Sequence, residues 1–134
     1  MTAASFAQQA YKNSQRELAS EKSIELQVFS QITSRLRAAD VSQIGGMSKL
    51  AEALTDNVKL WNILLTDLSF ETNTLPEDLK AQIISLAKFT QMHTLEVLGG
   101  RAKQDVLIDI NQAMINGMRA GAKVKLEKHE KEVA

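Results

Sequence analysis

Apolar residues recur through this chain at helical spacing, and only three strong breaks interrupt them: Gly45-Gly46, Pro76 and Gly99-Gly100. Glycine loses the most conformational freedom when held in a helix, and proline lacks the amide hydrogen that continues one. The segments between the breaks must therefore fold as separate helices. No run alternates apolar and polar residues as a half-buried strand would. The fold expected is an all-α bundle of four main helices over 20–39, 47–69, 76–98 and 102–118. A short N-terminal helix or ordered arm over 1–19 precedes it, and a charged, mobile tail over 119–134 follows.

Each segment supports its own helix. In the first, Ser20 is a plausible N-cap, with Glu21 beside the positive helix end, and Ile24, Val28, Phe29, Ile32 and Leu36 form the apolar stripe. The second has the cleanest period: Met47, Leu50, Leu54, Val58, Trp61, Leu64, Leu65 and Leu68 fall on one side, and Ile63 lies among polar neighbours on the other. Pro76, followed by Glu77 and Asp78, suits the first turn of the third. The fourth is expected to bury Val106, Leu107, Ile110, Ala113, Met114 and Met118. Ala113, Gly117 and Gly121 recur every four residues, which reads as a fraying helix end rather than a close helix contact.

The third helix constrains function. Wound at about 100° per residue, it places Leu79, Ile83, Leu86, Ala87, Thr90, Thr94 and Val97 on one stripe and Ile84, Met92 and Leu95 on a second. A helix apolar on both sides is either central in its bundle or leaves one face for a partner. Ile84, Met92 and Leu95, joined by Ile108 and Ile115 of the last helix, are the candidate partner-binding residues. Periodicity alone leaves open whether bundle neighbours cover them. Phe6 and Tyr11 of the N-terminal arm are available as a cover for the second stripe, so a monomer is expected.

Charge and chemistry exclude several function classes. At 134 residues the chain has the length of one domain. Sixteen basic and sixteen acidic side chains cancel, whereas a dedicated nucleic-acid binder carries a basic excess, so direct nucleic-acid binding is disfavoured. There is no cysteine for a disulfide or thiolate metal site, and no signal-like or membrane-length apolar run, so a cytoplasmic location without membrane insertion is expected. His93 has no nucleophile partner at a recognised spacing, and the glycine pairs lack the lysine of a phosphate loop. Neither catalysis nor a cofactor nor a metal is expected. His93 is assigned a hydrogen bond at a helix boundary, and Trp61 a place in the core. Asn73 is assigned the ordering of the 69–75 loop through its side chain. Asp67, a carboxylate in the last turn, opposes the helix dipole by roughly 0.3–1 kcal/mol and calls for a compensating donor.

The segments AY at Ala10-Tyr11 and LW at Leu60-Trp61, then TDL, N-x-LP, L-x-x-x-IISLA-x-F, HT-x-x-VL-x-G and LIDIN-x-x-M-x-x-G, together resemble the FlaF family of bacterial flagellar biosynthesis regulators. Their order and spacing run from about Ala10 to Gly117. The family positions carried here are Trp61, Asp67, Asn73, Leu75, Pro76, Ile83, Phe89, His93, Thr94, Leu107, Asp109, Asn111 and Gly117, most of them explicable as fold. The resemblance implies a small cytoplasmic protein needed for flagellin production. Its implied partners are flagellin and the FlbT regulator, which acts on flagellin messenger RNA. A neutral helical domain with a spare apolar strip is physically suited to a chaperone-like role, shielding an amphipathic flagellin helix before export; the alternative is a post-transcriptional regulator of flagellin synthesis acting with FlbT.

Overall fold

The structure, a computed structural model, describes the backbone of residues 3–133 and the side chains of 5–9 and 24–120. Four α-helices make up the fold, as the apolar periods require: α1 (Ala3–Ala38), α2 (Gly46–Ser69), α3 (Glu77–Leu98) and α4 (Asp105–Val133). Short loops over 39–45, 70–76 and 99–104 make chain neighbours antiparallel. Polar contacts fix the register. Arg35 pairs with Asp56 at 2.8 Å, Asn62 with Gln91 at 2.8 Å and Arg37 with Gln112 at 2.8 Å. The helices follow one another around the bundle, and among the described residues α3 approaches α4 only marginally.

Two expectations about helix ends are corrected. No glycine or proline lies between Ala3 and Ala38, so the separate N-terminal arm and the 20–39 helix are one continuous helix, and Ser20 falls inside it rather than capping it. At the other end α4 continues past Met118 to Val133. A glycine within a helix costs only about 1 kcal/mol relative to alanine, and Gly117 does not end this one. A Cβ added at Gly117 would meet nothing within 4 Å, so that glycine is not a point of close helix approach either. The side chains of Tyr11 and of the 121–134 segment lie outside the described residues.

The glycine breaks are geometric requirements. Gly45 takes a positive φ of 75°, and a Cβ on Gly46 would collide with the Asp40 carbonyl. Asp40 completes that turn by accepting from the Ser42 amide at 2.9 Å and hydroxyl at 2.7 Å, and these bonds hold its carboxyl below the ordinary 3.8. At the end of α3, Gly100 has φ 72°. Gly100 donates to the Val97 carbonyl and Arg101 to the Glu96 carbonyl, the paired pattern that closes a helix through a left-handed residue. Pro76 takes the cap position of α3, one residue before the helix proper.

The core gathers Phe29, Ile32 and Leu36 of α1, Leu50, Leu54 and Trp61 of α2, Ile83, Ala87 and Val97 of α3, and Leu107 and Ile115 of α4. Phe29 meets Trp61 edge to face at 5.9 Å, a favoured aromatic geometry. Four side chains expected inside are exposed: Ile24, Met47, Leu79 and Ala113. Met47 and Leu79 sit in the first turns of their helices, where fewer neighbouring turns reach them. For α4 the reason is a rotated inner face, described next.

Candidate protein-binding surface

The inner line of α4 is Leu107, Asn111 and Ile115, all buried and four residues apart. Its middle member is polar, which displaces the apparent apolar stripe toward Ile110, Ala113 and Met114. Asn111 is held by a ladder of side-chain bonds. Trp61 Nε1 donates to Asn111 Oδ1 at 3.0 Å, and Asn111 Nδ2 donates to Asn57 Oδ1 at 2.7 Å. Burying an amide stabilises only when its bonds are made, and these bonds join α4 to α2 at one register. Beyond the ladder, Asn57 Nδ2 and Thr90 Oγ1 are buried without a hydrogen-bond partner.

This rotation settles two of the candidate positions. Ile115 is 2% exposed and belongs to the core, so its assignment to a binding surface is withdrawn. Ile108 is half-buried against the same core. Both had seemed surplus because the polar Asn111 lies between them on the true inner face.

The candidates on α3 lie differently. Ile83, Ala87, Thr90, Thr94 and Val97 face inward, which turns the opposite side of the helix to solvent. There Met92 is 70% exposed, Leu95 64% and Ile84 38%. Phe6 does not cover the strip, being 70% exposed itself. Phe89, also exposed, stacks on His93 with ring centroids 5.3 Å apart. A shallow depression beside it is lined by Ala81, Gln82, Ser85, Leu86 and Phe89. Lys88 is exposed on the same side of the helix. Glu96 is spent on Arg101 at 2.8 Å, and that bond and charge lower the Glu96 carboxyl and raise the Arg101 guanidinium from their ordinary values.

The remaining singled-out residues build loops and helix ends. Nε2 of His93 donates to the Lys103 carbonyl at 2.9 Å, tying α3 across its closing turn to the start of α4. Asn73 Oδ1 accepts from the Leu75 amide at 3.1 Å, two residues on, and its Nδ2 bonds the Asp67 carbonyl at 3.3 Å. That contact reaches the Asp67 backbone rather than its carboxylate, so the donor expected for the Asp67 side chain is not made there. Asp109 and Leu75 are exposed. Sequence reasoning missed Asn57; the usable signal was a polar residue at the spacing of Leu50, Leu54 and Trp61. Among the described residues no cluster of three or more histidine or carboxylate side chains could hold a metal ion. No helix there is long and apolar enough to cross a membrane.

The site therefore presents apolar side chains on a convex helix surface, suited to non-covalent packing against another helix. In comparisons with known proteins, the sequence model of a family described as flagellar protein FlaF matches residues 7–118. No curated protein and no solved structure matches the chain.

Proposed function

Because the chain belongs to the FlaF family of flagellar proteins, we propose that it is a cytoplasmic flagellin-binding protein, acting without catalysis, that supports flagellin synthesis and export. The observation that carries this reading is the outward apolar strip of Ile84, Met92 and Leu95 on α3, a helix whose other side is locked into the core. Contiguous apolar surface on a soluble monomer commonly marks an interaction site. An amphipathic flagellin helix laid along α3 would bury its apolar side there, as helix-recognition surfaces do. The convex shape makes this a fifth helix added to the bundle.

Binding of purified flagellin to the full chain tests the proposal, with Ile84→Ser/Leu95→Ser as the variant. The expected result is retained melting temperature with lost flagellin binding, and wild-type binding that changes little with salt. Counterion release makes contacts to nucleic-acid phosphates steeply salt-dependent. A folded wild-type protein that ignores flagellin but captures purified FlbT, or flagellin messenger RNA in a salt-sensitive way, would replace this reading with translational control.

A further inference from the structure

We propose that α3 is a detachable helix, which swings out of the bundle as a unit on the 70–76 and 99–104 connections while α1, α2 and α4 stay packed together. The opening belongs to the free chain and does not depend on flagellin being the ligand of α3.

The first support is the balance of the helix's two sides. Toward the core α3 buries two large apolar side chains, Ile83 and Val97; the rest of its buried line is Ala87, Thr90 and Thr94, with Leu86 half-buried beside it. Away from the core it carries Leu79, Ile84, Phe89, Met92, Leu95 and Leu98, all exposed. α2, of similar length, buries Leu50, Leu54, Leu60, Trp61 and Leu68. Burial stabilises in proportion to the apolar area removed from water, so α3 gains less from closing than its composition would allow.

A second, independent support is a polar group that closure strands. Thr33, Thr55, Thr66 and Thr94 each donate their hydroxyl to the carbonyl four residues back, at 2.6–3.0 Å. Thr90 does not: it is completely buried, and its Oγ1 has no hydrogen-bond partner. A buried hydroxyl without a bond opposes burial, and water satisfies it once α3 moves outward.

The fastenings of α3 are also weak. α4 is held to α2 by the buried ladder of Trp61, Asn111 and Asn57. From α3, the side-chain bonds to other elements are Gln91 with Asn62, His93 with the Lys103 carbonyl and Lys80 with the Asn73 carbonyl; the first two are exposed and the third is part-buried. Among the described residues α3 makes no close backbone approach to α1 and a marginal one to α4. Phe70 and Leu75 are exposed, so the 70–76 connection is not anchored through them in the core. Within itself α3 is continuous, with no glycine or proline from Glu77 to Leu98, acidic residues at its positive end and a closing turn at Gly99-Gly100. A continuous helix with weak fastenings leaves as one piece, and such openings occur below the free energy of global unfolding. Opened, α3 offers a partner both of its sides.

Native-state amide hydrogen exchange of the full chain, read residue by residue, tests this with no partner present. The Ile83, Ala87, Thr90 and Thr94 amides should exchange together, at least about tenfold faster than the slowest amides of α1, α2 and α4 once intrinsic rates are removed. Ile32→Val trims a buried side chain of α1. It should speed the slow amides of α1, α2 and α4 about two- to tenfold and leave α3 unchanged, because Ile32 stays packed in the opened form. Thr90→Val keeps the side-chain shape without the stranded hydroxyl, and should slow α3 exchange about five- to tenfold with no loss of melting temperature. Protection of α3 equal to that of its neighbours, α3 rates that rise with the others in Ile32→Val, or α3 rates unmoved by Thr90→Val would each overturn the proposal. A lowered melting temperature in Thr90→Val would mean that the hydroxyl is bonded in solution, and would overturn it as well.

Discussion

The side-chain ladder that links α2 to α4 and the outer side of α3 invert one another. In the first, a polar side chain, Asn111, is completely buried; in the second, an apolar one, Met92, is among the most exposed large apolar residues described. Asn111 survives burial because Trp61 and Asn57 satisfy it on both sides, and the same bonds fix how the helices align. Met92 and Leu95 have no such constraint and contribute little to folding. Interior polar groups are therefore tied to one arrangement of this bundle, while exterior apolar groups remain available to another molecule.

The largest expected effect falls on the buried side of that contrast. Trp61→Ala removes the most voluminous core side chain and strands Asn111 Oδ1; deleting a buried aromatic costs about 3–5 kcal/mol. Denaturant unfolding measures it, and an unchanged midpoint would move Trp61 out of the core. Asn111→Ala tests the ladder itself. It leaves Trp61 Nε1 and Asn57 Oδ1 buried and unpaired, at about 1–3 kcal/mol for each stranded group. If Asn111→Ala and Trp61→Ala were additive in a double-variant cycle, the two side chains would not be coupled and the ladder would be an idle contact.

A milder pair of changes compares inside with outside directly. Ile115→Val should cost about 0.5–1.5 kcal/mol, as removal of a buried methylene does. Leu95→Ala on the strip should stay within about 0.5 kcal/mol. Equal losses would mean that α3's outer side is packed in solution. The smallest effect is electrostatic. The folded Asp40 carboxyl lies below its ordinary 3.8, so its contribution is present above that value and is lost as the pH falls through the lowered one. The Ser42 amide should report this by a chemical-shift change at acid pH, which Asp40→Asn abolishes.

What was legible in the sequence is what local physics controls. Gly45-Gly46, Gly99-Gly100 and Pro76 mark real turns because positive φ, close backbone approach and a missing amide hydrogen are properties of single residues. Asn73 was readable for the same reason, since it bonds an amide two positions away. The Ser20 cap failed because a cap needs the preceding residues to leave the helix, and nothing before it forces them to. On α4 the apolar count pointed to Ala113 and away from Ile115, because counting hydrophobic residues gives no weight to an asparagine on the buried line.

The sequence by itself determined a helical chain divided at three breaks, a third helix apolar on both sides, and the residue motifs of its family. Tertiary structure alone decided which apolar residues are surplus. Ile115 and Met92 look alike in periodicity, yet one is buried in the core while the other meets water. The difference arises because burial depends on the rotation of each helix against its neighbours. Here the buried line of α4 is held by the bonds that Asn111 accepts from Trp61 and donates to Asn57, 50 and 54 positions away along the chain.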